Sequence, residues 1–336
     1  MPSTAPDAKS GFPAYSDYLH VVVAVVENSV GELLIARRHR HLHQGGLWEF
    51  PGGKMEPGEG CFQALQRELK EELAISPVSA RPLIRIPYHY PDRKVLLDVW
   101  RVLEFSGEPH GVEGQPLKWV SLDDLNRYEF PAANRPIVTA AQLPACYLIT
   151  PDPGPEEGWP FFLQQIQRSL QAGISLVQLR APSLEREGYL RLARQVSTCA
   201  LEYGARLMLN ADVASLAECD AAGVHLSARR LMALQQRPIG TDKLLAASCH
   251  SHEELLHAAW IGVDFALLSP VKSTATHPQA VPTGWAGFRR LSELSAIPLY
   301  ALGGLSPADL PDAWQHGAQG IAAIRALWDG AEGCAV

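Results

Sequence analysis

Long hydrophobic runs are missing from this chain. The longest aliphatic run near its start, Val21 to Val26, is far too short to cross a bilayer. Residues 1–16 are polar and rich in Ala, Ser and Pro, with no apolar signal-peptide core, and read as a disordered tail. Excess positive charge is missing as well. Only 29 Lys and Arg stand against 36 Asp and Glu, a formal charge of −7, which argues against a DNA- or RNA-binding surface. No C-x-x-C pair occurs. The six cysteines, Cys61, Cys146, Cys199, Cys219, Cys249 and Cys334, are scattered, as expected of reduced and mostly buried thiols. These absences describe a cytoplasmic protein without a membrane partner. What is present is apolar bulk: 47% of the 336 residues are hydrophobic, enough for two domains with proper cores. A free nucleotide stays admissible as a substrate, because a metal and local Arg or Lys can offset its charge.

The stretch Gly52 to Ile75, GGKMEPGEGCFQALQRELKEELAI, carries the densest chemistry. Phe62 to Leu73 are strong helix formers, and Pro57 and Gly58 just upstream act as a start signal. At about 100° per residue, Glu68, Glu71 and Glu72 fall within roughly a 100° arc. Like charges so placed destabilise their own helix. A hard divalent cation with oxygen ligands supplies the compensation. Phe62, Leu65, Leu69 and Leu73 recur at helical spacing and would dock the opposite face. The competing reading is a solvated Glu/Lys helix.

The flanks decide between the two. Gly53, Glu59, Arg67, Glu68, Leu69, Glu71, Glu72 and Ile75 resemble the Nudix box, G-x5-E-x7-R-E-U-x-E-E-x-G-U, at every required spacing. Ala74 departs, standing where the family has the glycine that follows the helix. That glycine favours a left-handed conformation, which alanine tolerates at a cost of roughly 1 kcal/mol. The alternative is a helix that runs slightly further, stopped by Ser76-Pro77, and we expect altered local geometry with intact metal chemistry. Tyr18–Glu27, Glu32–Arg38, Val95–Leu103 and Pro116–Val120 read as strands, Ser121-Leu122-Asp123-Asp124 as a helix start, and residues 135–143 as a helix. This order suits the α/β/α sandwich of the Nudix fold over residues 17–142.

The segments Leu47–Lys54, Tyr90–Arg93, Gly107–Pro116 and Phe130–Ile137 are similar to the MutT-type subgroup, which hydrolyses 8-oxo-dGTP and so limits replication errors. That resemblance implies Mg²⁺ as cofactor, with Mn²⁺ as a substitute, held by Gly53, Glu68, Glu72 and Glu113. It implies a catalytic set of Glu59, Arg67, Glu68, Glu71, Glu72 and Glu113, with Arg67 paired to Glu59 to brace the loop. Arg38, Phe50 and Asn134 would bind the base, Asn134 reading the oxidised guanine. An amide that donates and accepts together suits that task. Asn134 could instead cap a helix, Arg38 could be a surface strand residue, and Glu113 a loop carboxylate in water. The alternating His39, His41 and His43 have no fourth ligand at suitable spacing and read as a loop, not a zinc site.

After Pro144 the pattern changes. Apolar runs at Cys146–Thr150, Leu176–Leu179, Leu207–Asn210, Val224–Leu226, Leu245–Ser248, Phe265–Ser269, Leu299–Leu302 and Ile321–Ile324 alternate with helical stretches. Eight such units imply a (β/α)₈ TIM barrel over residues 146–330, with its site at the C-terminal strand ends. Its motifs resemble thiamine phosphate synthases and their TenI-type thiazole tautomerase branch. The resemblance implies a thiazole phosphate ligand held by Gln178, Arg180, Asn210, His250, Gly303, Gly304 and Arg325. Four departures argue against synthase chemistry. Ala211 and Arg230 stand where synthases place metal-binding aspartates, and Pro182 and His277 where they place lysines. His250 matches the acid/base histidine of the tautomerase branch, which needs no such metal; the alternatives are a polar strand end or a non-catalytic sensor or scaffold barrel.

Overall fold

The computed structural model describes residues 15–40, 44–274, 279–328, 330 and 334. The chain divides into two compact units, Met1–Gln142 and Leu143–Val336. Among the described residues no helix is long and apolar enough to cross a membrane.

The first unit holds strands β1 (Leu19–Val26), β2 (Leu33–Arg37) and β3 (Trp48–Glu49), helix α1 (Cys61–Leu73), strands β4 (Ser76–His89), β5 (Lys94–Ser106) and β6 (Leu117–Val120), and helix α2 (Arg135–Gln142). The strands form two three-stranded sheets, β1-β5-β4 and β3-β2-β6. Val22, Ala24 and Val26 of β1 pack with Ala64, Leu65, Leu69 and Leu73 of α1. Successive strand residues face opposite ways, and Val23 and Val25 are buried too. Both faces of this sheet are therefore covered, as in a layered α/β sandwich.

Two expectations are corrected here and one open alternative is settled. Strand β4 was not foreseen, because Pro77, Pro82 and Pro87 interrupt its sequence. It lies at the sheet edge, pairs only with β5 and shifts register beside Pro77 and Pro82. An edge strand tolerates prolines because its outer side needs no N–H donors. Second, α1 does not run on past Leu73. Ala74 adopts the left-handed conformation, φ 58° and ψ 24°, and its N–H reaches Leu69 and Lys70 carbonyls. The alanine accepts the glycine's geometry at a cost of about 1 kcal/mol. Third, Tyr15, read from sequence as part of the tail, is buried and meets the Tyr18 ring edge-on.

The second unit is a closed parallel barrel of β7 (Cys146–Ile149), β8 (Leu176–Leu179), β9 (Arg206–Leu209), β10 (Gly223–Leu226), β11 (Leu244–Cys249), β12 (Phe265–Leu268), β13 (Leu299–Leu302) and β14 (Gly320–Ala323). Each strand lies within a residue or so of its sequence-predicted run. Helices α3 (Trp159–Gln171) to α9 (Arg325–Trp328) follow the strands, except after β9, where a 3₁₀ turn at Val213–Glu218 stands in. Alternation sorts the side chains. Leu148, Val177, Leu207, Val224, Ala266 and Ile321 join the helices in the outer core. Tyr147, Leu176, Met208, Phe265 and Tyr300 fill the barrel interior. Tyr147, Phe265 and Tyr300 meet pairwise at 5.6 Å between ring centroids.

The expectation of six reduced thiols is also corrected. Cys146 and Cys334 form a disulfide across a sequence separation of 188 residues, with their Cα atoms 5.8 Å apart. Sequence spacing sees only near neighbours, whereas the closed barrel brings its first strand and the end of the chain together. Cys61, Cys199, Cys219 and Cys249 are free.

Candidate functional site

In the first unit the site is built around the C-terminal half of α1. Gly52 and Gly53 approach it so closely that a Cβ on Gly53 would sit 2.2 Å from the Glu68 carboxylate, and one on Gly52 2.1 Å from the Val22 carbonyl. The Gly52 N–H donates to Glu72 Oε2 at 3.1 Å. From the other side the loop 110–115 covers the end of α1. His110 and Val112 N–H groups donate to the Leu73 and Glu72 carbonyls, and Gln115 Nε2 also donates to the Glu72 carbonyl at 3.0 Å. These bonds satisfy helix-end acceptors that α1 cannot satisfy itself. They also carry the exposed Glu113 close enough to act on Glu72.

Burial pushes the Glu72 carboxyl up to about 7, and the negative charges of Glu68, Glu49 and Glu113 push the same way against the Gly52 N–H. Four carboxylates thus share one region. Burial likewise raises Glu49, whose partner Arg38 partly offsets it. Arg67 braces the loop as anticipated, with Nε and Nη2 donating to the two Glu59 oxygens at 2.8 and 3.0 Å. It also reaches Glu68 at 2.8 Å, Glu71 at 3.3 Å and the Lys54 carbonyl at 2.9 Å. The Arg67 hydrogen bond holds Glu59 down to about 2. Glu71 is the outlying member, its side chain 62% exposed. Among the described residues no three His, Cys, Asp or Glu side chains already form a metal-holding group.

The base-binding candidates have separate surroundings. Phe50 is buried and stacks on Phe130 at 5.4 Å with an 18° interplanar angle. Asn134 ends a 3₁₀ turn, Ala132–Asn134, that leads into α2. No hydrogen bond of its carboxamide is found among the described residues. Arg38 pairs with Glu49. Glu49 itself was missed by sequence reasoning, although its place between Trp48 and Phe50 on a strand beside the glycine pair was visible. Tyr90 was missed as well; it is half-buried near Arg38, Arg93 and Glu49. Of the three alternating histidines, His39 is described, while His41 and His43 lie outside the described residues.

The barrel carries a cavity of about 770 Å³ at the carboxyl ends of its strands. Every barrel candidate from the sequence lines it: Gln178, Arg180, Asn210, His250, Gly303, Gly304 and Arg325. No Asp or Glu does. Gly303 and Gly304 have φ of 113° and 63°. A Cβ on Gly304 would lie 2.5 Å from the Ser273 carbonyl, so the pair lets two loops meet at the cavity mouth. His250 Nδ1 donates to the Ser269 carbonyl at 2.9 Å, which leaves Nε2 for a ligand. Arg230, at the position of a lost metal-binding aspartate, is exposed on α5 (Ala228–Met232) and does not line the cavity, whereas Arg180 and Arg325 do. His277 lies outside the described residues. Ser248, also on the cavity wall, was not singled out from sequence.

A family model described as NUDIX domain matches residues 22–140, and one described as Thiamine monophosphate synthase matches residues 146–327. The 8-oxo-dGTP diphosphatase of Escherichia coli is 42% identical over 120 residues, covering 36% of this chain and 93% of that protein. The CTP pyrophosphohydrolase of the same organism is 37% identical over 122 residues, covering 36% and 90%. A putative thiamine-phosphate synthase 2 of Aquifex aeolicus is 34% identical over 185 residues, covering 54% and 97%. The chain is a two-domain enzyme that belongs to the Nudix hydrolase family through its MutT-like N-terminal domain and to the thiamine monophosphate synthase/TenI family through its C-terminal barrel.

Proposed function

We propose that the N-terminal domain hydrolyses 8-oxo-dGTP to 8-oxo-dGMP and pyrophosphate, removing a mutagenic precursor from the nucleotide pool. The observation that carries this reading is the crowding of Glu68, Glu49 and Glu113 around a desolvated Glu72. An arrangement that opposes its own ionisation suits a hard divalent cation with oxygen ligands, and Mg²⁺ is the natural choice, with Mn²⁺ as substitute. Glu68, Glu72, Glu113 and the Gly53 backbone are the groups that would hold it. When bound, Mg²⁺ neutralises phosphate oxygens and helps activate water. The chain's own contribution is placement. Arg67 and Glu59 fix the loop before α1, Gly52 orients the Glu72 carboxylate, and Glu71 stands at the exposed edge, where it can take a proton from incoming water. Phe50 supplies an apolar wall for the base and Asn134 an unspent amide for its edge. A site built to bond a particular edge rejects analogues that leave its groups unpaired. A cytoplasmic location belongs to this reading, since its substrate is a DNA precursor.

The likeness to a CTP pyrophosphohydrolase supports a second reading, in which a pyrimidine triphosphate fills the same pocket. A screen of nucleoside triphosphates with product identification tests both. Preferential release of 8-oxo-dGMP and pyrophosphate supports the first, and faster turnover of CTP than of 8-oxo-dGTP supports the second.

For the barrel we infer binding of a thiazole phosphate without synthase activity. A carboxylate-free cavity lined by Arg180 and Arg325 suits an anion that arrives without a metal. His250, with Nε2 uncommitted, is placed to move a proton in a metal-free isomerisation. Thiamine phosphate formed from a pyrimidine diphosphate and thiazole phosphate would refute this inference.

A further inference from the structure

Beneath the cavity lies a hydrogen-bonded chain through three barrel strands, from Tyr147 on β7 to Ser248 on β11. The Tyr147 hydroxyl lies 3.2 Å from His225 Nδ1 on β10. His225 Nε2 lies 2.9 Å from Ser248 Oγ on β11. Asn210 Nδ2 donates to the His225 carbonyl at 3.0 Å and so fixes its backbone. His225 is fully buried, and burial holds its imidazole down to about 3, leaving it neutral across the physiological range. A neutral imidazole has one donor and one acceptor nitrogen. The two flanking hydroxyls settle which is which. The Tyr147 phenol is a stronger donor and weaker acceptor than the Ser248 hydroxyl, so the tyrosine proton goes to Nδ1. The imidazole proton then sits on Nε2 and is donated to Ser248 Oγ. The serine hydroxyl proton is left unspent.

We propose that His225, through Tyr147, is a positioning residue that makes Ser248 an obligate hydrogen-bond donor to the barrel ligand. The inference rests on the thiazole phosphate reading above and sharpens it. The ligand is a phosphorylated heteroaromatic that presents an acceptor, a ring nitrogen lone pair or a carboxylate oxygen, towards β11. An analogue with only an N–H at that position would leave two donors facing each other.

The tautomer is the direct test. Heteronuclear NMR of the full-length protein carrying labelled histidine, with the His225 signal assigned by its loss in His225→Phe, reports which nitrogen holds the proton. A neutral Nε2–H form is expected. A neutral Nδ1–H form, or an imidazolium at neutral pH, overturns the proposal. Calorimetry then tests the consequence. Ser248→Ala and His225→Phe should each weaken thiazole phosphate binding about fivefold or more, while inorganic phosphate binding holds as the control for a folded barrel. The double variant should lose no more than either single one, and His225→Gln, which restores a donor to Ser248, should recover most of the affinity. Additive losses, or equal losses for both probes, refute the coupling. If the unmutated protein binds no thiazole phosphate, the ligand reading of the barrel fails, and the tautomer still decides the role of His225.

Discussion

Glu72→Gln should make the metal-free N-terminal domain more stable while disabling it. The substitution keeps the side chain's shape and leaves an oxygen for the Gly52 N–H. What it removes is a charge that the surroundings oppose. A carboxyl carried from 4.5 to about 7 penalises the ionised folded state by about 3 kcal/mol. The sign follows from proton counting. Below pH 4.5 Glu72 is protonated folded and unfolded alike, and the variant gains nothing. Between 4.5 and about 7 the unfolded chain gives up the proton first, so rising pH erodes the native domain. Above that window the whole penalty applies. Urea unfolding at pH 8 with chelator should therefore show the variant more stable, by an amount approaching that figure and discounted for partial exposure. At pH 4 the two proteins should coincide. Added Mg²⁺ should stabilise the unmutated protein and not the variant, whose hydrolysis should fall by orders of magnitude. A variant less stable than its parent at pH 8 in chelator would refute the desolvation argument. Near-normal turnover in a folded variant would refute the metal-site assignment.

Asn134→Ala should lower the preference for 8-oxo-dGTP over dGTP by about tenfold, more than it lowers the maximal rate, and an unchanged ratio of kcat/KM values would remove Asn134 from base recognition. Ala74→Gly should stabilise the N-terminal domain by up to about 1 kcal/mol in chemical denaturation, because the residue already sits at φ 58°. In the barrel, His225 stays neutral down to about 3, whereas an unfolded histidine takes up a proton near 6.5. Barrel stability should thus be fully present above that upper value and decline as the pH falls towards the lower one; His225→Phe should flatten the acid limb of a stability-versus-pH curve.

The sequence spoke most clearly where period and chemistry coincide. Glu68 and Glu72 could be placed on one helix face because helical spacing is rigid, and the eight barrel runs were legible because each buried strand is a short apolar block between polar connections. Strand β4 stayed hidden because its three prolines are turn signals unless the strand is known to lie at an edge. Ala74 stayed ambiguous because propensity disfavours a left-handed alanine, yet the capping bonds to Leu69 and Lys70 outweigh that preference. Glu49, Ser248 and the His225 chain depend on contacts between strands far apart in sequence, which no local spacing encodes. The same holds for Arg230, whose alignment position suggested the cavity but whose helix turns it outward.

The disulfide near the base of β7 has a topological meaning. With Cys146 joined to Cys334, all eight barrel strands lie inside one covalent ring. Closing a loop of this size removes roughly 5 kcal/mol of chain entropy from the unfolded barrel in the simplest account. It also changes what a protease can do. A single cut in any connection of the ring yields two fragments that remain one molecule until reductant is added. A reducing cytoplasm works against such a bond. The same polypeptide would then exist as a linear barrel in reducing surroundings and as a nick-tolerant macrocycle in oxidising ones.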